Sequence, residues 1–291
     1  MNHDISFATL SDKAQIKEIW KQCFGDCDEY IDFFLKNGFD CENALVVRDS
    51  GVAVSVLHIL PLDLIIGSDL ISAGYIYAAA TLPEYQGMGL MKKLLISAEE
   101  IAKERGIKVL ILVPASESLF LYYETAGYNS SIDVFAYDNK RDKKINNNVT
   151  IEDCDFEDFY ILRSKSFKKE DIFFRWNEKM LRYIYSELLF TGKIIKKFKY
   201  KKNIGYVVFY PRNNVLEVKE FAGDKKSLKS VAQQLMTIYN CDRVSARLPV
   251  SFMKIKEQRN QFAMVKAIEG FDCDIIKSLN KGKGYFNLAL D

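Results

Sequence analysis

The chain has 291 residues, of which 48% are hydrophobic and 27% charged, and its formal net charge is +2. That length suits two domains of about 140 residues, and that balance excludes a disordered chain. The longest apolar runs, 52–62 and 109–113, are too short to span a bilayer and read as buried strands.

Charge is unevenly spread. Residues 1–140 hold 11 Lys and Arg against 20 Asp and Glu, a net of −9; residues 141–291 hold 30 against 19, a net of +11. A whole-chain basic surface for nucleic acid is not supported, and two units with different surfaces are expected. The N-terminus lacks a basic stretch followed by an apolar one, so a cytoplasmic protein without a signal peptide is expected. Six cysteines, at 23, 27, 41, 154, 241 and 273, form no CxxC framework and read as free buried thiols. His3 and His58 are the two histidines, which leaves little material for zinc or a histidine triad; no metal is implied.

In chain order, Ser11 reads as an N-cap ahead of Ile16, Ile19, Trp20 and Cys23 at helical spacing. A second helix is expected over 28–37. Strands follow at 44–47, 52–60, 62–66 and 72–80, punctuated by Gly51 and Gly67-Ser68. A long helix over about 88–105 carries Met91, Leu94, Leu95, Ala98, Ile101 and Ala102 as one stripe and stops at Gly106. Residues 108–113 read as a buried strand, and 116–126 as a short helix ended by Gly127.

Residues 137–148 are mostly Asp, Asn, Lys and Arg, and the domain break is expected there, giving units 1–145 and 146–291. The second opens with a strand at 149–151 and an acidic helix over 152–160. The lysines from 193 to 202 read as the solvated face of a strand hairpin. Within it, 205–249 reads as strand, strand 215–222, helix 224–240 and strand 243–249. This repeats the strand-helix-strand order of 72–114 without its glycine loop.

The chemistry concentrates where the strand ending at Thr81 runs through Leu82-Pro83-Glu84-Tyr85-Gln86-Gly87-Met88-Gly89-Leu90-Met91 into the long helix. Two glycines at a helix start let backbone N–H groups converge on one point, an anion site suited to a diphosphate. Lys92 stands where a dinucleotide fingerprint has its third glycine, and no GK[ST] follows.

The run 83–95 resembles motif A of the GNAT superfamily, Q/R-x-x-G-x-G/A after a strand, with Met91 where glycine or alanine is usual. Leu121-Tyr122-Tyr123-Glu124-Thr125-Ala126-Gly127-Tyr128 resembles its motif B, and Ser116 stands where many members carry asparagine. The resemblance is specific over about residues 5–137 and architectural beyond. It is to the tandem-domain branch similar to the Eis-type acetyltransferases, without their third domain.

The resemblance implies an α/β fold with mixed sheets: two GNAT-like domains, the second degenerate and shaping the acceptor side. It implies acetyl-CoA as cosubstrate and transfer of the acetyl group to a primary amine, of a small molecule or a peptide. The backbone from Gln86 through Gly87, Met88, Gly89, Leu90 and Met91 to Lys92 would hold the pyrophosphate. Ala79, Ala80 and Thr81 would offer main-chain groups to pantetheine and the acetyl carbonyl, Ser116 would add a contact, and Tyr123 would be the general acid. The −9 of residues 1–140 favours a cationic acceptor. A Fem-type aminoacyl transferase and a catalytically silent CoA-binding module stay open as alternatives. So do the acceptor and the oligomeric state, a homo-oligomer included.

Other features read as structural. His58 reads as a satisfied strand histidine, Cys23 and Cys27 as helix packing at i and i+4, and Phe173-Phe174-Arg175-Trp176 as filling the second core, with a lining role in an acceptor pocket as the alternative.

Overall fold

The computed structural model describes residues 4–142, 148–168, 170, 172–252, 259–269 and 284–290, apart from the side chains at 130 and 131. Two compact units divide the chain. One comprises Met1–Leu64, Asp69–Asn129 and Ala263–Ile276, the other Ile65–Ser68, Ser130–Phe262 and Lys277–Asp291.

In chain order the elements are β1 (Asp4–Phe7), α1 (Lys13–Phe24), α2 (Asp28–Asn37), β2 (Ala44–Asp49), β3 (Val52–Ile66), β4 (Asp69–Thr81), α3 (Leu90–Glu104), β5 (Val109–Leu112) and α4 (Glu117–Thr125). Then come β6 (Asn129–Lys140), β7 (Val149–Asp153), α5 (Phe156–Phe167), β8 (Ile172–Trp176), α6 (Glu178–Phe190) and β9 (Ile194–Tyr200). The chain continues with β10 (Asn203–Arg212), β11 (Val215–Ala222), α7 (Lys225–Ile238), β12 (Arg243–Pro249), β13 (Arg259–Ala267) and β14 (Gly284–Tyr285).

In the first unit the strands lie in the order β1-β2-β3-β4-β5-β13. β4 and β5 are parallel, joined over one face by α3, and the last residues of β13 run antiparallel to β5 from Met264 against Leu112 to Ala267 against Val109. The apolar stripe of α3 does what its spacing predicts. Leu90, Leu94, Leu95, Ala98 and Ala102 are buried on Leu57, Ile59, Ile76, Leu110 and Leu112, with Met91 and Ile101 half-buried at the margins. α1 and α2 bury Ile16, Ile19, Trp20, Ile31, Phe34 and Leu35. One strand, β3, replaces the two expected around Pro61. β2 pairs with β3 only as far as His58, so the missing proline N–H falls beyond that ladder.

In the second unit the order is β6-β12-β11-β10-β9-β7; off that path, β14 runs parallel to β8. β11 and β12 are parallel and joined by α7. The core gathers Phe198, Phe209, Phe221, Leu228, Leu235 and Leu248. A second buried centre is polar: Arg163 pairs with Glu220, and the hydroxyls of Tyr206 and Tyr285 also donate to Glu220. Every charge there has a partner, which is the condition for burying charge without a large penalty.

Further local expectations change: Ser11 lies inside a short 3-10 turn, Leu10–Asp12, and Asp12 rather than Ser11 stands at the N-cap of α1. The acidic stretch after residue 151 is not helical until Phe156. Glu152 and Asp153 extend β7 opposite Lys197 and Lys196, and the Asp155 side chain accepts from the Asp158 N–H to start the helix. Residues 137–140 complete β6, where Asp138 pairs with Arg243; the asparagines at 146 and 147 lie outside the described residues. Cys23 and Cys27 do not share a helix, because Gly25 ends α1 in the left-handed region and Cys27 precedes α2.

Of the cysteines, 23, 27, 41, 154 and 241 are free. Only Cys154 and Cys241 are buried and Cys27 is exposed; Cys273 lies outside the described residues. Phe173, Phe174 and Trp176 are buried in the second unit, as expected. No helix among the described residues is long and apolar enough to cross a membrane.

Candidate active site

The site grows out of the end of β4. Its pairing with β5 runs from Ala73 against Val109 to Tyr75 against Ile111. Then the strand kinks: Ala78 has φ of +46°, a left-handed value that an alanine holds only when its surroundings impose it. Ile76 and Ala79, three residues apart, both pack on the α3 core. Side chains two apart share a face in a regular strand, so the extra residue inverts the alternation in the manner of a bulge.

Beyond the kink, side chains hold the carbonyls. Ser55 Oγ donates to the Ala80 carbonyl (3.0 Å) and bonds Thr81 Oγ1 (2.7 Å). The Thr81 carbonyl accepts from Cys23 Sγ (3.2 Å) and from Gln86 Nε2 (3.0 Å). Ala79 is half-buried, while Ala80 and Thr81 are buried.

The loop then turns through Pro83–Tyr85 into the helix. Gly87 and Gly89 have φ of +78° and +75°, and a Cβ added to either would meet nothing within 4 Å. Glycine is needed here for the backbone, and the space in front of the loop is open. Gly89 is the N-cap of α3 and supplies no capping side chain. The first N–H groups of a helix have no partner within it, and the helix dipole adds partial positive charge at the same end. Gln86, Met88 and Lys92 are exposed, Leu90 is buried and Met91 half-buried. A cradle of this kind fits a diphosphate.

α4 carries the third part. Tyr123 is 8% exposed and lies in the same apolar cluster as Leu90 and Ala79. Burial, helped by Tyr122, pushes its phenol up to about 12, so it stays protonated at neutral pH. Its carbonyl accepts from the Tyr128 N–H (3.0 Å), and its ring meets that of Tyr128 edge-on at 5.9 Å. Tyr122 is exposed, as the 100° step around a helix predicts. Ser116 is the exposed N-cap of α4, and its hydroxyl bonds that of Ser118 (3.0 Å).

Two contributors carry no local signal in the sequence. Ala78 is one. The other is Lys266 on β13, which pairs with Glu99 on α3 and donates to the Ala126 carbonyl (2.6 Å) at the end of α4. A cation there is favourable at the negative end of the helix dipole.

Residues 4–130 match the family model of the acetyltransferase (GNAT) domain. No curated protein sequence matches the chain. Among solved structures, a GCN5-related N-acetyltransferase from Anabaena variabilis is similar, with a TM-score of 0.74 at 15% identity, over 92% of this chain and 73% of that one. One from Kribbella flavida gives 0.71 at 16%, over 91% and 71%. Eis1 from Mycobacterium abscessus gives 0.69 at 10%, over 91% and 74%. These likenesses are of fold, and they extend through both units.

The architecture is thus two GNAT-like α/β units. Residues 4–130 form its GNAT acetyltransferase domain.

Proposed function

We propose that this protein transfers the acetyl group of acetyl-CoA to a primary amine, with the cofactor site in residues 1–145. The observation that carries this is the sequence of events along one segment. Pairing of β4 with β5 ends at Tyr75, the strand kinks at Ala78, and within a dozen residues of the kink the chain presents a helix N-terminus free of side-chain caps at Gly89.

Bound acetyl-CoA supplies an activated thioester. The main chain from Gln86 to Lys92 receives its pyrophosphate, with the exposed Lys92 adding positive charge. Ala79, Ala80 and Thr81 line its pantetheine arm and aim a main-chain N–H at the acetyl oxygen, where negative charge develops during attack. Ser55, Cys23 and Gln86 fix that backbone by holding its carbonyls, so the donors are oriented before the reaction. Ser116 adds a contact at the start of α4.

Tyr123 acts as general acid toward the departing sulfur. Its raised pKa keeps the proton on the hydroxyl until it is needed. Residues 146–291 select the acceptor, and the acidic first half favours a cationic one. Release of free thiol from acetyl-CoA, followed with a panel of primary amines, tests the reading. Amine-dependent release supports it, and its absence with every amine contradicts it.

A further inference from the structure

His58 is fully buried on β3 and pairs with Ala44 on β2. Its neighbours Leu57 and Ile59 belong to the α3 core, so its own side chain projects to the opposite face. There its ring lies among those of Trp20, Phe34, Phe39 and Tyr77, at centroid distances of 6.3, 5.2, 6.0 and 6.4 Å. Nδ1 stands 3.3 Å from the Tyr77 carbonyl, immediately before the kink at Ala78.

A strand carbonyl ordinarily points along the sheet toward the next strand. The His58 side chain meets the Tyr77 carbonyl from the face, directly beside the kink. A hydrogen bond to a buried carbonyl helps fix where that carbonyl points. Nε2 is buried with no partner among the described residues, so Nδ1 carries the proton and donates.

We propose that His58 is a positioning residue of the acyl site: by donating from Nδ1 to the Tyr77 carbonyl it holds the kink at Ala78 and thereby sets where the main-chain groups of Ala79, Ala80 and Thr81 stand. This rests on reading those residues as the strand that carries the acyl group. Four features suit the imidazole to the task. It is long enough to reach across from β3, it is held rigid by the surrounding rings, those rings keep competing water out, and it is uncharged. Burial pushes its pKa down to about 4, so the donor stays neutral throughout the working range.

Steady-state kinetics of the full chain, varying acetyl-CoA, test the proposal with His58→Leu and His58→Asn. Leucine keeps bulk and removes the donor; asparagine places an amide N–H close to where Nδ1 stands. His58→Leu should lose roughly 10²-fold in kcat, the scale of an angstrom-sized misplacement at a reacting centre. His58→Asn should recover most of that loss. Equal activity of a folded His58→Leu overturns the role of His58 while leaving the acetyl-CoA reading intact.

Should His58→Leu fail to fold, the wild-type chain answers instead. With two histidines present, the imidazole ¹⁵N spectrum should show one neutral Nδ1–H tautomer persisting from about pH 5 to 8, and its shifts should move when acetyl-CoA is added. An Nε2–H tautomer overturns the proposal. An Nδ1–H tautomer in a chain that neither binds nor turns over acetyl-CoA overturns the reading of the strand, and the role of His58 with it.

Discussion

The unit β4–α3–β5 and the unit β11–α7–β12 share one design and differ at one end. Both pair parallel strands across an apolar-striped helix. In the first, the strand kinks away at Ala78, and the helix begins at a left-handed glycine with open space before it. In the second, Asp224 caps the helix: its carboxylate accepts from the Ser227 N–H (2.8 Å) and from Asn203 Nδ2. The end of β11 is also packed shut. Phe198 stacks on Phe221 at 5.2 Å, and a Cβ on Gly205 would stand 2.0 Å from the Ala222 carbonyl oxygen. A helix N-terminus attracts an anion only while its N–H groups are unspent; Asp224 already supplies one. The same design thus leaves one helix N-terminus open and seals the other.

The largest expected effect separates chemistry from packing in the open unit. Tyr123→Phe should lower kcat by roughly 10²–10⁴ with acetyl-CoA affinity little changed, while Tyr122→Phe should do neither. Single-turnover rates beside equilibrium binding check this. Loss in Tyr122→Phe alone would move the acid by one residue.

The two cores should respond alike even though the two helix ends do not. Leu94 and Leu235 are each fully buried, and Leu→Ala at either should cost about 2–5 kcal/mol in denaturant unfolding. Saturating acetyl-CoA should raise the melting temperature in both backgrounds, because the ligand binds only the folded state. A rise confined to the Leu94→Ala chain would contradict the assignment of the site.

Acid should tell the units apart, since His58 belongs to the first and neither histidine to the second. Its pKa falls from 6.5 to about 4 on burial. Between those values the unfolded chain takes up a proton that the folded chain refuses. The stability His58 contributes is complete above about pH 6.5 and is lost as pH falls toward 4, by about 3 kcal/mol. Urea midpoints across that window should decline in the wild type and less steeply in a folded His58→Asn chain.

The smallest effect is in the sealed unit. Asp224→Ala should cost about 1 kcal/mol through the lost cap and leave acetyl-CoA affinity unchanged. Calorimetric titration of that variant reads both halves of the statement.

Much of this contrast is written locally. Gly87 and Gly89 announce left-handed backbone ahead of an apolar stripe, and Phe221-Ala222-Gly223-Asp224 announces a capped start instead. The buried place of Tyr123 at the end of α4 is legible from its distance to Gly127, which turns with φ of +84°. Ala78 is not legible, because alanine has no intrinsic reason to take φ of +46°; the contacts around it impose that value. Nor is Lys266, which reaches Ala126 from a strand 140 residues further on. The start of α5 is not legible from charge either, since acidic residues serve a strand opposite lysines as well as they serve a first helical turn.

Calorimetric titration of acetyl-CoA into the full chain tests the central claim most directly. Wild type should bind at one site per chain. Gly89→Glu should abolish binding, because it places a side chain and a negative charge in the open space before α3. Gly106→Ala carries comparable backbone strain, at φ of +69° on the far end of the helix, and should bind as the wild type does. Two sites per chain, or unchanged affinity in a folded Gly89→Glu chain, would contradict the account.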